Sequence, residues 1–160
     1  ISGNHEKSLI KLEGVGYDFC EEICKKRHDL TYIKSSNVVC PGNIKVILHH
    51  GGGSCSAPGK SRKKRLKTRT LELMSNGCHG DIFLYGHCHN YAVIPSYMDA
   101  TIIATGCFQS PPVYMMENFG MPDICGLILS YQVDDNNKPI NIKTEFHSIN
   151  DYGGIINHDY

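Results

Sequence analysis

The stretch "DIFLYGHCHN", residues 81–90, joins an apolar run to a glycine and to two histidines one residue apart. An apolar run of this length, bounded by turn-forming residues, predicts a strand buried in a sheet. Side chains alternate between the two faces of a strand, so His87 and His89 would point the same way if the extended chain continues through them. The pair could then serve a metal site, or it could be two polar residues on the wet face of a half-buried strand.

Two other stretches share this design, in which a histidine-bearing loop follows the end of a strand. "SGNHE" carries Asn4 and His5, and "VILHHGGG" carries His49 and His50. In layered α/β folds, the loops that follow the carboxyl ends of strands gather in one crevice. Glycines beside each cluster allow the backbone to approach a metal or a phosphate closely. The three clusters are therefore predicted to converge on one site.

The pattern around these clusters alternates helices and strands in the first half of the chain and is richer in strands in the second. Helices are predicted in residues 17–30 and 60–77, the latter ending at Asn76-Gly77. Further strands are predicted at 31–35 and 37–40, joined as a hairpin, and at 43–50, 101–106, 125–133 and 140–149. This mixture predicts an α/β or α+β sandwich with layered sheets.

Composition sets the broad class of the chain. Its 160 residues suit one domain or part of one, and its formal net charge of zero implies no global attraction to nucleic acid or membrane. No apolar run reaches the length of a membrane span. The eight cysteines form no C-x-x-C pair, so we expect mostly buried thiols in a reducing, cytoplasmic compartment. Cys88 should face away from its neighbouring histidines, which favours core packing over metal ligation.

The ordered set of motifs resembles a known family. "GNHE" at 3–6, a histidine after an apolar strand in "HHGGG" at 49–53, and "GHCH" at 86–89 are similar to the second half of the calcineurin-like metallophosphoesterase signature. The phage and viral branch is the most similar, and the resemblance extends as far as His147. It implies a four-layer α/β/β/α sandwich and hydrolysis of a phosphoester, either a mono- or a diester, with nucleotides and nucleic acid among the candidates.

The resemblance also implies ligands for two divalent metal ions at the strand ends. Asn4 and His87 resemble ligands of the second metal, and His89 resembles the histidine of the first. The family spacing favours His49 as the remaining ligand, with His50 as the alternative; because the two alternate along a strand, only one should be a ligand. Ligands of these types suit manganese, iron or zinc.

Two further residues carry over as catalytic groups. His5 resembles the histidine that helps the leaving group depart, and Glu6 resembles the carboxylate that orients it. The alternative for Glu6 is a surface residue at the start of a helix.

The chain departs from the family in its carboxylates. It contains no D-x-H, and its one Gly-Asp pair, Gly80-Asp81, is followed by "IFL", so G-D-x-x-D is absent too. We therefore expect residues 1–149 to be the C-terminal part of the domain, without its N-terminal strands and helices, followed by a polar tail at 150–160. The missing segment would lie on the same or another chain. The alternative is a non-catalytic binding or scaffold module that retains the fold with half the metal site.

A basic segment, Lys60–Arg69, has seven Lys or Arg residues among its ten. It could be a solvated helix face, or a surface for an anionic substrate such as nucleic acid. Such runs also resemble nuclear localisation signals.

Overall fold

The computed structural model describes residues 16–33, 37–51, 62–87, 89–108 and 122–148. Within these ranges the chain is a mixed α/β protein, which confirms the predicted class at this level. A 3-10 turn at Pro41–Asn43 joins the first two strands. In chain order the helices and strands are α1 (Phe19–Lys26), β1 (Asn37–Cys40), β2 (Ile44–His49), α2 (Arg62–Ser75), β3 (Ile82–Tyr85), β4 (Tyr91–Tyr97), β5 (Ala100–Thr105), β6 (Cys125–Val133) and β7 (Pro139–Ser148).

Five strands form one mixed sheet in the order β1-β2-β3-β5-β4. The three central strands are parallel, and the two outer strands pair antiparallel with their neighbours. Parallel strands are stable when both faces are covered, which explains the apolar run of β3 and the apolar centre of β5. In the register of β2 against β3, His49 lies opposite Tyr85. The two strands therefore end at the same edge, and the loops that follow them start side by side.

Different elements cover the two faces of this sheet. On one face, Leu66 of α2 packs with Ile47 and Phe83 in a buried cluster. On the other, Val46 and Ile82 pack with side chains of the antiparallel β6–β7 hairpin. Alternation along the strands thus sends successive apolar side chains to opposite layers. These residues account for three layers, helix, sheet and hairpin; the four-layer sandwich stays a prediction.

The strand β4 was not predicted from the sequence. Pro95 lies inside it, and proline cannot donate to a sheet ladder, so the pattern there does not favour a strand. β4 lies at the edge of the sheet, where a missing donor can be tolerated. Met98 and Asp99, with φ of 51° and 61°, form the two-residue turn to β5. Two positive φ values are typical of the type I′ turn, which matches the twist of a hairpin.

The predicted hairpin between residues 31–35 and 37–40 is wrong in its pairing. β1 instead pairs with β2, with Cys40 opposite Ile44, and residues 31–33 are not in a strand. The helix predicted at 17–30 is confirmed as α1 but is shorter, at Phe19–Lys26. It begins after Asp18, whose carboxylate accepts from two backbone amides of the first turn, at 3.1 Å each.

The expectation of mostly buried thiols is also wrong for the part of the chain that the structure describes. There, Cys125 is buried, whereas Cys20, Cys24, Cys40 and Cys78 are partly exposed. Neither described helix has the length and apolarity needed to cross a membrane.

Candidate functional site

The two histidines that follow β3 lie in a loop and not on the strand. β3 ends at Tyr85, and both His87 and His89 have left-handed backbones, with φ of 64° and 52°. The premise that a continuing strand points them the same way is therefore wrong. A non-glycine residue in this region costs about 1–3 kcal/mol, and such strain concentrates at functional sites. The directions of the two rings therefore do not follow from strand alternation.

The rings of His50 and His87 meet at the shared edge of β2 and β3. His50 Nε2 lies 3.2 Å from His87 Nδ1, and the ring centroids are 4.9 Å apart at 66°. One nitrogen can donate to the other if at least one ring is neutral. The separation also suits a shared metal, since two ligands at about 2.0–2.1 Å in tetrahedral geometry lie about 3.3–3.4 Å apart. The donor set of this pair thus fits a divalent ion.

The adjacent His49 points elsewhere. Its Nδ1 accepts a hydrogen bond from the Gly51 amide at 2.8 Å, and its Nε2 lies 3.3 Å from Arg69. Its ring also contacts Tyr85, with centroids 5.7 Å apart. Both ring nitrogens of His49 thus lie against N–H groups of the protein, those of Gly51 and Arg69. The geometry therefore favours His50, the alternative ligand, although the assignment of either as a ligand stays a prediction.

The backbone on either side of the histidine loop is held by hydrogen bonds. On the near side, the Gly86 amide donates to the His49 carbonyl at 3.0 Å. On the far side, Asp123 donates its amide to the His89 carbonyl at 2.8 Å, and its carboxylate accepts from the Tyr91 amide at 2.6 Å. No pattern in the sequence connects Asp123 with this loop, because 32 residues separate it from Tyr91.

A complete metal site is not present among the residues described. Within those ranges, no group of three or more His, Cys, Asp or Glu side chains is close enough to hold an ion. The predicted residues Asn4, His5 and Glu6, and also Cys88, lie outside the described ranges. The described chain therefore brings together His50 and His87 and leaves the rest of the predicted ligand set untested.

The basic segment is divided between protein contacts and solvent. Lys60 lies outside the described residues, and Lys63 and Lys64 are exposed on α2. In contrast, Lys67 Nζ lies 5.2 Å from the centroid of the Tyr97 ring, and Arg69 contacts both Glu72 and His49. The inner residues thus help to hold α2 on the sheet, and the outer ones are available to an anion.

A cleft of about 240 Å³ lies between the end of β5 and the β6 strand. Its walls include Leu84 and Leu127. At its base, the Cys125 thiol donates to the Thr105 carbonyl at 3.6 Å. Burial, with a smaller contribution from the Asp123 charge, raises the pKa of this thiol. The raised pKa keeps the Cys125 thiol protonated at neutral pH.

No family model matches the sequence, and no curated protein or solved structure matches it either. The family resemblance therefore depends on the short motifs alone and remains a prediction.

Proposed function

We propose that this protein is a metal-dependent phosphoesterase of the calcineurin-like class. The observation that carries the proposal is the 3.2 Å approach of the His50 and His87 ring nitrogens. They meet where two neighbouring parallel strands end, which is the usual place for a ligand site in such sheets. Left-handed backbones at His87 and His89 add support, because strained residues cluster at active sites.

In this proposal each histidine has a defined role. His50 and His87, together with Asn4, hold one divalent ion of manganese, iron or zinc, and His89 belongs to a second. When bound, the two ions would supply a hydroxide nucleophile and stabilise charge on the phosphoryl oxygens. His5, oriented by Glu6, would give a proton to the departing alkoxide.

The described residues do not supply all the ligands that a two-metal site needs, so the proposal includes a further segment. The remaining carboxylate ligands would come from a segment with D-x-H and G-D-x-x-D, neither of which occurs in residues 1–160. That segment would complete the four-layer sandwich around the three described layers.

Metal binding tests the proposal most directly. We expect the protein to bind Zn²⁺ or Mn²⁺ in isothermal titration calorimetry, and the His87→Ala variant to lose that binding. His79→Ala is the matched control, because His79 is exposed at the opposite end of β3. Equal affinities in the wild type and His87→Ala would exclude a metal at this pair.

Hydrolysis is then tested separately from binding. Bis-p-nitrophenyl phosphate and p-nitrophenyl phosphate report diester and monoester cleavage in the presence of Mn²⁺. Turnover that disappears in His87→Ala and persists in His79→Ala would support the phosphoesterase.

The second candidate is a non-catalytic module that retains the fold and part of the site. It is favoured by one observation, that the described residues contain no group of three metal-ligating side chains. Metal binding without turnover, even when a segment with the two carboxylate motifs is supplied, would favour this candidate.

A nucleic-acid substrate is a narrower part of the proposal, supported by the exposed Lys63 and Lys64. Replacing both with alanine should weaken binding to single-stranded DNA and flatten its salt dependence by about 0.7 in log–log slope for each lost contact. Lys143→Ala, which removes an exposed lysine from β7, is the control. An unchanged slope in the double variant would indicate that these lysines belong to a solvated helix face and do not contact nucleic acid.

A further inference from the structure

The described part of the loop between β3 and β4 has to be held in place against its own backbone preferences. Two of its residues, His87 and His89, have left-handed φ values although neither is glycine. At about 1–3 kcal/mol each, such a conformation persists only where the surrounding structure fixes it. The hydrogen bond from Gly86 to His49 fixes the start of the loop. Its end, which carries His89, needs a second anchor.

Asp123 is that anchor. Its amide donates to the His89 carbonyl at 2.8 Å, and its carboxylate oxygen Oδ2 accepts from the Tyr91 amide at 2.6 Å. One residue thus holds the backbone on both sides of Asn90. The bond to Tyr91 involves a carboxylate, and hydrogen bonds of this kind are shorter and stronger than neutral ones.

Asp123 is itself fixed to the sheet. Its carbonyl accepts from the Cys107 amide at 3.0 Å, and the Cys107 carbonyl accepts from the Cys125 amide at 2.8 Å. These bonds connect the end of β5 to the start of β6. A Cβ atom on Gly106 would lie 2.8 Å from the Asp123 carbonyl oxygen, so the two backbones are in close contact. The position of Asp123 is thus set by two strands of the fold.

We propose that Asp123 is the positioning residue of the His89 loop, and that its carboxylate sets the direction of the His89 ring. The metal-binding consequence rests on the proposed function, but the effect on His89 does not. The amide, the carbonyl and the Oδ2 atom of Asp123 all bond to main-chain groups, so the residue acts through the backbone.

The test compares Asp123→Ala with Asp123→Asn. Alanine removes the acceptor for the Tyr91 amide, whereas asparagine keeps an oxygen in the same place. Asp81 offers a matched control, because its buried carboxylate also accepts from a backbone amide, that of Lys45, at 2.9 Å. Asp81 lies at the other end of β3, away from the histidines, so Asp81→Ala should lower stability without affecting them.

Histidine ring resonances, recorded by long-range ¹H–¹⁵N NMR without metal, give the first readout. We expect Asp123→Ala to shift the His89 resonances and leave those of His28 unchanged. Asp123→Asn and Asp81→Ala should resemble the wild type. When a segment with D-x-H and G-D-x-x-D supplies the remaining ligands, Asp123→Ala should lower the Zn²⁺ affinity of the ion held by His89 about 10–100-fold, the usual effect of removing an outer-shell partner, and Asp123→Asn should recover most of it.

Unchanged His89 resonances in a folded Asp123→Ala variant would overturn the inference, whatever the protein does with zinc. A loss of zinc affinity in Asp123→Asn as large as that in Asp123→Ala would also overturn the inference, since the side-chain oxygen of asparagine should be sufficient to accept from the Tyr91 amide. If Asp123→Ala does not fold, amide exchange in the wild type decides: rapid exchange at Tyr91 would rule out the bond, and protection would support it. A wild type that binds no zinc would count against the proposed function alone.

Discussion

His50 and His87 are 37 residues apart in sequence, yet their facing ring nitrogens lie 3.2 Å apart. The register of β2 and β3 produces this approach, because the two parallel strands end level with each other. The approach of the two rings therefore depends on the pairing of β2 with β3. Substitutions of the ring residues test metal binding, and substitutions elsewhere in the fold test stability.

The two adjacent histidines should respond differently to substitution. His50→Ala should abolish Zn²⁺ binding with little loss of stability, because the half-buried ring of His50 faces His87. His49→Ala should retain zinc binding and lower the melting temperature, because the His49 ring packs on Tyr85 and lies beside Arg69. Calorimetric titration and thermal unfolding of both variants separate the two effects. Loss of zinc binding in His49→Ala and its retention in His50→Ala would identify His49 as the ligand, as the family spacing favours.

Gly106 should be much less tolerant of alanine than Gly77. Both have left-handed backbones, with φ of 72° and 83°. A Cβ on Gly106 would lie 2.5 Å from the Cys125 sulfur, whereas one on Gly77 would meet nothing within 4 Å. Gly77→Ala should therefore cost about 1–2 kcal/mol from strain alone. Gly106→Ala should cost a further ~1–3 kcal/mol from overpacking, measured as the free energy of unfolding in urea. Equal losses of unfolding free energy in the two variants would show that the backbone between β5 and β6 shifts to accommodate the added methyl group.

The hydroxyl of Tyr85 should contribute to the docking of α2 on the sheet. Thr70 Oγ1 donates to the Leu66 carbonyl at 2.8 Å, so the Tyr85 hydroxyl, at 2.9 Å, has to donate to Thr70. Tyr85→Phe should cost about 0.5–1.5 kcal/mol of unfolding free energy, the usual value of a hydrogen bond. Tyr131→Phe is the control, because its bond to the Pro41 carbonyl is exposed to water. A Tyr85→Phe variant no less stable than this control would contradict the prediction.

The ion pair between Lys138 and Asp81 should make stability decline at alkaline pH. A hydrogen bond and the charge of Asp81 raise the pKa of Lys138 above its ordinary value of 10.5. The contribution of the pair is therefore complete below pH 10.5 and is lost as the pH rises through the raised pKa. Urea unfolding above pH 10 should show a smaller decline for Lys138→Gln than for the wild type. Lys143→Gln, on the same hairpin, should follow the wild type; parallel curves for all three would exclude this linkage.

Local patterns in the sequence were sufficient for several elements. Alternating apolar residues predicted β2, and the stop at Asn76-Gly77 predicted the end of α2, which the structure places at Ser75. These features depend on neighbouring residues, so they can be read from a short window. β4 was not predicted because the feature that permits it, a position at the edge of the sheet, cannot be read from neighbouring residues. A proline inside a strand is acceptable only at a sheet edge, and strand order decides which strand lies there.

The sequence by itself determined the mixed α/β class, the apolar runs of the central strands and the placing of histidines just after two of them. Each depends on residue type and spacing along the chain. Only the tertiary structure decided that His50 and not His49 faces His87, and that Asp123 holds the far end of the loop. These relationships arise from strand register and from bonds between segments more than 30 residues apart. Side-chain direction at the end of a strand depends on where extended pairing stops, and pairing is a property of the whole sheet.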